Sequence, residues 1–210
     1  MQADFWFKRW EDNEIGFHEE AVNPLLAKHF QALSLRANSR VFLPLCGKTS
    51  SIPWLLSLGH KVVGIELSQE AIEQLFIDMG INPSIDETGD FIHYHADNID
   101  MYVGDFFNLT AEILGKVDAI YDRGSLVALP ETMRFQYTTH LKQIAKDAPQ
   151  LLICYEYDET LREGPPFCIR PDELNQHYEY TMKVLDRVDN TDLGTDEVVV
   201  KEIVWLLEKA

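Results

Sequence analysis

A carboxylate closing an apolar run is the first group in this 210-residue chain that invites a chemical reading. Lys61-Val62-Val63-Gly64-Ile65-Glu66 reads as a buried strand ending in an acid, and at that place in an open α/β sheet an acid can accept both hydroxyls of a ribose. An earlier apolar strand, Val41 to Leu45, leads into the turn Pro44-Leu45-Cys46-Gly47-Lys48-Thr49-Ser50-Ser51, which holds a single glycine. A dinucleotide site needs G-x-G-x-x-G at such a turn so that the backbone can approach a pyrophosphate, and this chain contains no G-x-G. Lys48-Thr49 after Gly47 matches only the tail of a phosphate loop, whose other glycine is absent. A ligand with a ribose but no phosphates fits both facts, and S-adenosylmethionine is the candidate. On this pattern alone an NAD site and no cofactor at all stay open, as does a solvated strand-end acid at Glu66.

Other reactive side chains point to less. Cys46, Cys154 and Cys168 are an odd number without C-x-x-C spacing, which indicates free thiols rather than a disulfide framework or a zinc site. Cys46, although beside the key turn, is expected to pack. His93, His95 and Asp97 alternate as ligands on one strand face would, but no further ligand lies at a supporting spacing and no metal is assigned. Phe106 and Phe107 read as core or pocket wall.

The scaffold follows from period. Residues 19–35 predict a helix with Val22, Leu25, Leu26 and Phe30 on one face and Pro24 in a first turn. A helix bearing Ile52, Trp54, Leu55 and Leu58 is closed by Gly59-His60, and Ser68 caps another from Gln69 to about Asp78. Short strands are predicted at 91–95 and 99–103, a core strand at 117–122, a helix from near Pro130 to Lys146 and a strand from Gln150 to Tyr157. Pro171 opens a short helix, and extended segments at 180–188 and 198–207 flank the Asn190–Gly194 turn as a hairpin. Strand and helix alternate, so an open α/β sheet with helices on both faces is expected, ending in an antiparallel hairpin. Ligands of such sheets bind beyond the carboxyl ends of the strands. That singles out Leu45 to Lys48, Glu66, Gly104-Asp105 and Asp122 to Gly124.

Eighteen Lys and Arg against 35 Asp and Glu give a net charge of −17, a field that repels phosphate backbones and anionic headgroups. Neither a nucleic-acid nor a membrane partner is expected. With 46% hydrophobic residues, 11 Phe and 4 Trp the chain is not disordered, and its length supports one core. A single domain and a monomer are expected. The stretch MQADFWFKRWEDNE has no continuous apolar segment of signal-peptide length, so the expected location is cytoplasmic.

Five stretches, in order along nearly the whole chain, resemble the thiopurine S-methyltransferase family: Trp6-Phe7-Lys8-Arg9-Trp10-Glu11, Phe42-Leu43-Pro44-Leu45-Cys46-Gly47-Lys48, Gly59 to Glu66, Tyr121-Asp122-Arg123-Gly124-Ser125 through Leu129, and Gly164-Pro165-Pro166-Phe167. The length and compact N-terminus resemble its bacterial branch. The resemblance implies a Rossmann-like class I S-adenosylmethionine-dependent methyltransferase: a seven-stranded, mostly parallel sheet with an antiparallel C-terminal hairpin and helices on both faces. It implies one domain over 1–210, with 1–35 a helical cover over the active site. Trp10 would pack near the cofactor, Leu45 would give backbone contacts to its methionine portion, Glu66 would hold the ribose, and Arg123 would lie beside cofactor and acceptor. Arg123 is thereby the nominee for orienting an acceptor thiolate, and no general base is assigned. Trp10 as a core cap beside Phe5 and Phe7, and Arg123 as a partner of Asp122 or Asp105, are the structural alternatives.

The implied reaction moves a methyl group to the sulfur of aromatic or heterocyclic thiols such as thiopurines, yielding S-adenosylhomocysteine without a metal. Selenium and tellurium compounds, and hence metalloid detoxification, are further expectations from bacterial relatives. A small-molecule O- or N-methyltransferase and a noncatalytic adenosylmethionine-binding protein are the alternatives. Phe5, Trp6, Phe17, Phe42, Phe106, Phe107 and Phe167 are the candidate pocket aromatics.

Overall fold

The computed structural model describes residues 3–146, 148–195 and 198–209; Met1 and Gln2 of the expected cover lie outside them. Its central strands are β1 (Arg40–Leu43), β2 (Lys61–Glu66), β5 (Ile99–Val103), β6 (Ala119–Arg123) and β7 (Gln150–Glu156). These five are parallel, in the spatial order β5-β2-β1-β6-β7. Two antiparallel pairs extend the sheet: β3 (Ser84–Thr88) with β4 (Phe91–Ala96) on the β5 edge, and β9 (Lys201–Glu208) with β8 (Thr181–Asp189) on the β7 edge. The expected C-terminal hairpin is present.

The sheet therefore has nine strands, not the expected seven. The difference lies in the β3–β4 pair. The predicted run 91–95 is β4, whereas the segment Ser84–Thr88 has no apolar alternation, being exposed over its first four residues, with Ile85 at 57%. Such a strand is held by ladder hydrogen bonds to its neighbour and leaves no period-two trace.

Alternate side chains of the central strands enter two cores, as the pleat requires. Phe42, Val63 and Ile65 pack with Phe106, Leu126, Tyr137 and Leu141, under α6 (Glu131–Ala145). Val41, Leu43 and Val62 pack on the other side with Leu25, Leu26, Ile52, Leu55, Ile72 and Leu75. The latter come from α2 (Pro24–His29), α3 (Ser51–Ser57) and α4 (Gln69–Met79). Full burial of each such aliphatic side chain stabilises by about 1.5–3 kcal/mol before the entropy of ordering it is counted.

The helix expected over 19–35 is shorter. Asn23 Oδ1 accepts from the amides of Leu25 at 2.9 Å and Leu26 at 3.2 Å, so α2 starts at Pro24. A 3₁₀ turn, Phe30–Leu33, follows, and Ser34 ends it in the left-handed region. Residues before the cap are left free to run across the sheet's carboxyl edge. By contrast α4 begins at its predicted Ser68 cap, whose Oγ accepts from the Ala71 amide, and α6 lies between Pro130 and Lys146 as expected. The remaining helices are α1 (Ala3–Glu11), α5 (Ala111–Leu114) and α7 (Pro171–His177). None of the described helices is long and apolar enough to cross a membrane.

Because β1 pairs with β2 on one side and β6 on the other, strand order reverses at β1. The loops after β2, β1, β6 and β7 converge beyond that reversal, where a crevice forms.

Candidate active site

The turn after β1 has two left-handed residues, Leu45 (φ 44°) and Gly47 (φ 53°). A leucine in that region is a genuine departure, since its Cβ crowds the following carbonyl. The turn is pinned from β2: the Cys46 amide donates to Ile65 O at 3.0 Å, and the Gly47 amide to Glu66 Oε2 at 2.8 Å. Glu66 Oε1 accepts from the amides of Leu67 and Ser68 at 2.8 and 2.9 Å, which ties the same carboxylate to the entrance of α4. Burial pushes the Glu66 pKa up, and these three amides pull against it. Trp10 lies on the turn. A Cβ at Gly47 would stand 3.2 Å from its Cζ2, so glycine serves here both the backbone and the indole.

Cys46 is half-buried: it packs against Gly64 of β2 and also stands in the wall of the crevice. Its Sγ would lie 2.9 Å from a Cβ at Gly64, and burial, reinforced by the Glu66 carboxylate, holds the thiol well above its usual pKa. A protonated thiol is a poor nucleophile.

Arg123, at the end of β6, pairs with neither Asp122 nor Asp105. Its Nη2 donates to Glu19 Oε1 at 2.7 Å and its Nη1 to Phe17 O at 3.0 Å, while Nε is buried without a partner. Asp122 instead points into the core, accepting from Tyr137 Oη at 2.7 Å and the amides of Ser125 and Leu126 at 3.2 and 3.3 Å; burial raises its pKa. Asp105 accepts from the Phe107 amide at 2.9 Å and caps the 3₁₀ turn Phe106–Asn108. Glu19 is thus the partner that sequence reasoning missed. Its carboxylate also accepts from Asn23 Nδ2, and its carbonyl accepts from Ser50 Oγ at 2.9 Å.

Trp10, Leu45, Glu66 and Arg123 all line one cavity of about 580 Å³, within the range of small-molecule sites. Trp6, Phe17, Phe106 and Phe107 join them. Phe42 is fully buried in the core, Phe5 lies edge-on to Trp6 and under Arg9, and Phe167 packs near Arg134, so these three are not in the wall. Val127, Met133, Tyr155, Arg162, Pro165 and Leu193 also line the cavity. His93 and His95 are elsewhere, on β4, bonded to Asp100 at 3.0 Å and Asp86 at 2.7 Å. Among the described residues no group of three or more His, Cys, Asp or Glu is arranged to hold a metal.

The donor set suits an adenosylmethionine. A carboxylate has about four lone-pair positions, and the three amides leave one, on Oε2, for a ribose hydroxyl. A second hydroxyl would take the place of the Gly47 amide. The indole of Trp10 and the side chain of Leu45 offer apolar contact, and the acidic chain as a whole attracts a cationic sulfonium.

The family model described as Thiopurine S-methyltransferase (TPMT) matches residues 1–209. A thiopurine S-methyltransferase of Xanthobacter autotrophicus is 44% identical over 213 residues, covering 100% of both chains. The crystal structure of an S-adenosylmethionine-dependent methyltransferase from Anabaena variabilis superposes with a TM-score of 0.70 at 13% identity, over 99% of this chain and 95% of that one. A Burkholderia thailandensis 1,6-didemethyltoxoflavin-N1-methyltransferase, solved with 1,6-didemethyltoxoflavin and S-adenosylhomocysteine, gives 0.67 at 13% identity, over 99% and 87%.

Proposed function

The chain belongs to the thiopurine S-methyltransferase family, and from that premise we propose that it moves the methyl group of S-adenosylmethionine to the sulfur of small aromatic or heterocyclic thiols such as thiopurines. S-adenosylmethionine-dependent methylation follows from the family and the fold; the sulfur acceptor is the proposal. The observation that carries it is that Glu66, at the end of β2, and Arg123, at the end of β6, line one shared cavity and are separated in it by the β1 turn. That spacing offers a ribose anchor at one side and an apolar acceptor space on the other.

When bound, S-adenosylmethionine supplies a methyl carbon made electrophilic by its sulfonium, which an acceptor sulfur can take in one in-line displacement. The protein's work is alignment and exclusion of water. Glu66 accepts from the ribose, Leu45 presents backbone to the methionine portion, and Trp10 closes the turn over Gly47. Arg123 acts electrostatically. Two of its donors are held by Glu19 and Phe17, so the guanidinium is a fixed donor edge rather than a mobile cation. Such an edge favours an aromatic thiolate, and a thiol already ionised near neutral pH needs no general base. The segment 1–35 is assigned as the cover, because α1 and residues 16–19 contribute to the cavity and are tied through Phe17 and Glu19 to Arg123. Selenium and tellurium nucleophiles, softer versions of the same acceptor, fall within the proposal, as do a monomeric state and a cytoplasmic location.

The test is S-adenosylhomocysteine formation with 6-mercaptopurine, beside its hydroxyl and amine counterparts and a no-acceptor control. Thiol-dependent product is expected. Turnover of the hydroxyl or amine compound alone would overturn the sulfur reading, and cofactor binding without turnover of any of them would point to a noncatalytic protein.

A further inference from the structure

Four Lys and Arg side chains stand in the cavity wall: Arg9, Lys48, Arg123 and Arg162. Three are paired with carboxylates, Arg9 with Glu14 at 3.5 Å, Lys48 with Asp78 at 3.3 Å and Arg123 with Glu19 at 2.7 Å. Among the described residues Arg162 has no such pair. Its Nη1 donates to Leu193 O at 2.7 Å, and its guanidinium carbon lies 5.9 Å from the centre of the Tyr157 ring. Nε is buried and has no partner. With Nη1 committed to Leu193, the unpaired edge is the one formed by Nε and Nη2, the two parallel donors that take a carboxylate side-on. A half-buried cation in a protein of net charge −17, held in place yet without an anion, is a group waiting for a ligand's charge.

The fold says which end of the cavity this is. Along the carboxyl edge the order is β2, β1, β6, β7, with Glu66 at the end of β2 and Arg162 in the loop after β7. Three strand spacings separate β2 from β7, roughly 14 Å. Leu193, whose carbonyl accepts from Arg162, and Pro165, in the same loop after β7, line the cavity with it. Arg162 therefore stands at the acceptor side, beyond Arg123, and not at the ribose.

We propose that Arg162 is a specificity residue that binds a carboxylate carried by the methyl acceptor, so that the preferred substrates are aromatic thiols bearing an acid group remote from the sulfur. This rests on the S-methyl-transfer reading above. A carboxylate is favoured over a phosphate because one planar fork satisfies it, whereas the neighbouring Asp192 in the wall disfavours a second negative charge.

The experiment compares 4-mercaptobenzoate with 4-methylbenzenethiol in wild type, Arg162→Gln and Arg162→Lys, following S-adenosylhomocysteine formation. In Arg162→Gln the ratio of kcat/KM for the acid to that for the neutral thiol is expected to fall about 10- to 100-fold, through KM, as for loss of a charged hydrogen-bonded pair. Arg162→Lys, which keeps the charge but not the fork, should fall between, and it carries the comparison should the glutamine variant not fold. An unchanged ratio overturns the proposal, including the case in which both thiols slow together. If wild type turns over neither of these thiols nor 6-mercaptopurine, the sulfur reading fails; if it turns over 6-mercaptopurine alone, that reading stands, and in either case the Arg162 proposal is judged by calorimetry of 4-(methylsulfanyl)benzoate with S-adenosylhomocysteine present. Weaker binding to Arg162→Gln then supports a carboxylate site, and equal binding removes it.

Discussion

Glu66 does two things at once, holding the β1 turn to the start of α4 and presenting a free acceptor position to the cavity. Glu66→Gln separates them poorly, because an amide nitrogen facing the Gly47 amide is a donor against a donor. Calorimetry should find S-adenosylhomocysteine bound about 10- to 100-fold more weakly, with a lower Tm. Since burial raises the carboxyl above its ordinary 4.5, affinity should also decline on acidification at a higher pH than a solvent-exposed glutamate would dictate. Arg123→Ala should lower kcat/KM for thiols by about 10-fold or more, and unchanged turnover together with unchanged cofactor affinity would refute its electrostatic role. Glu66, Leu45 and the Arg123 strand end were readable from strand-end position, because an α/β sheet exposes the same places in every instance. Glu19 was not. It lies 104 residues from Arg123, and a lone acid in a loop has no period or spacing to betray its partner.

The helices differ in what holds them. Ser68 caps α4 through a bond to the Ala71 amide, and Ser68→Ala should cost about 1 kcal/mol, a drop in Tm of roughly 2–4 °C by differential scanning calorimetry. In α1, nine residues long, Trp10 alone is buried, and a free helix of that length is marginal in water. Its amides should exchange with deuterium far faster than those of α6 and become protected when S-adenosylhomocysteine is added. Equal protection with and without ligand would mean that α1 is not a responsive cover. Caps and apolar faces made α4 and α6 readable in advance. The 19–35 helix was overdrawn because apolar spacing does not report that Asn23 takes the first amides itself, and β3 was missed because an exposed strand carries no apolar face.

Across the molecule, α2 is joined to the far edge of the sheet by a charged cluster, in which Asp186 on β8 meets Lys28 Nζ at 2.6 Å and His29 Nε2 at 2.8 Å. The Lys28 hydrogen bond, then that of His29, pulls the Asp186 carboxyl from 3.8 down to about 2. A depressed carboxyl gives stability that is present above its unfolded value and vanishes as pH falls through the folded one. Asp186→Asn should therefore melt earlier than wild type at pH 7, and the gap should close between about pH 4 and 2; a gap that persists at pH 2 would show that packing, not charge, is responsible. The reversal of strand order at β1 has a consequence during synthesis. On the ribosome, β2 arrives to cover one side of β1 early, but Val41 must wait for Ala119 on the other. At about 5–20 residues per second, the ~75 intervening residues take roughly 4–15 s. For that interval the nascent chain carries an apolar half-sheet with an open edge, which is a template for pairing with other chains. A pause in translation before β6 emerges would lengthen the exposure, and the chaperones that meet this protein should meet it there.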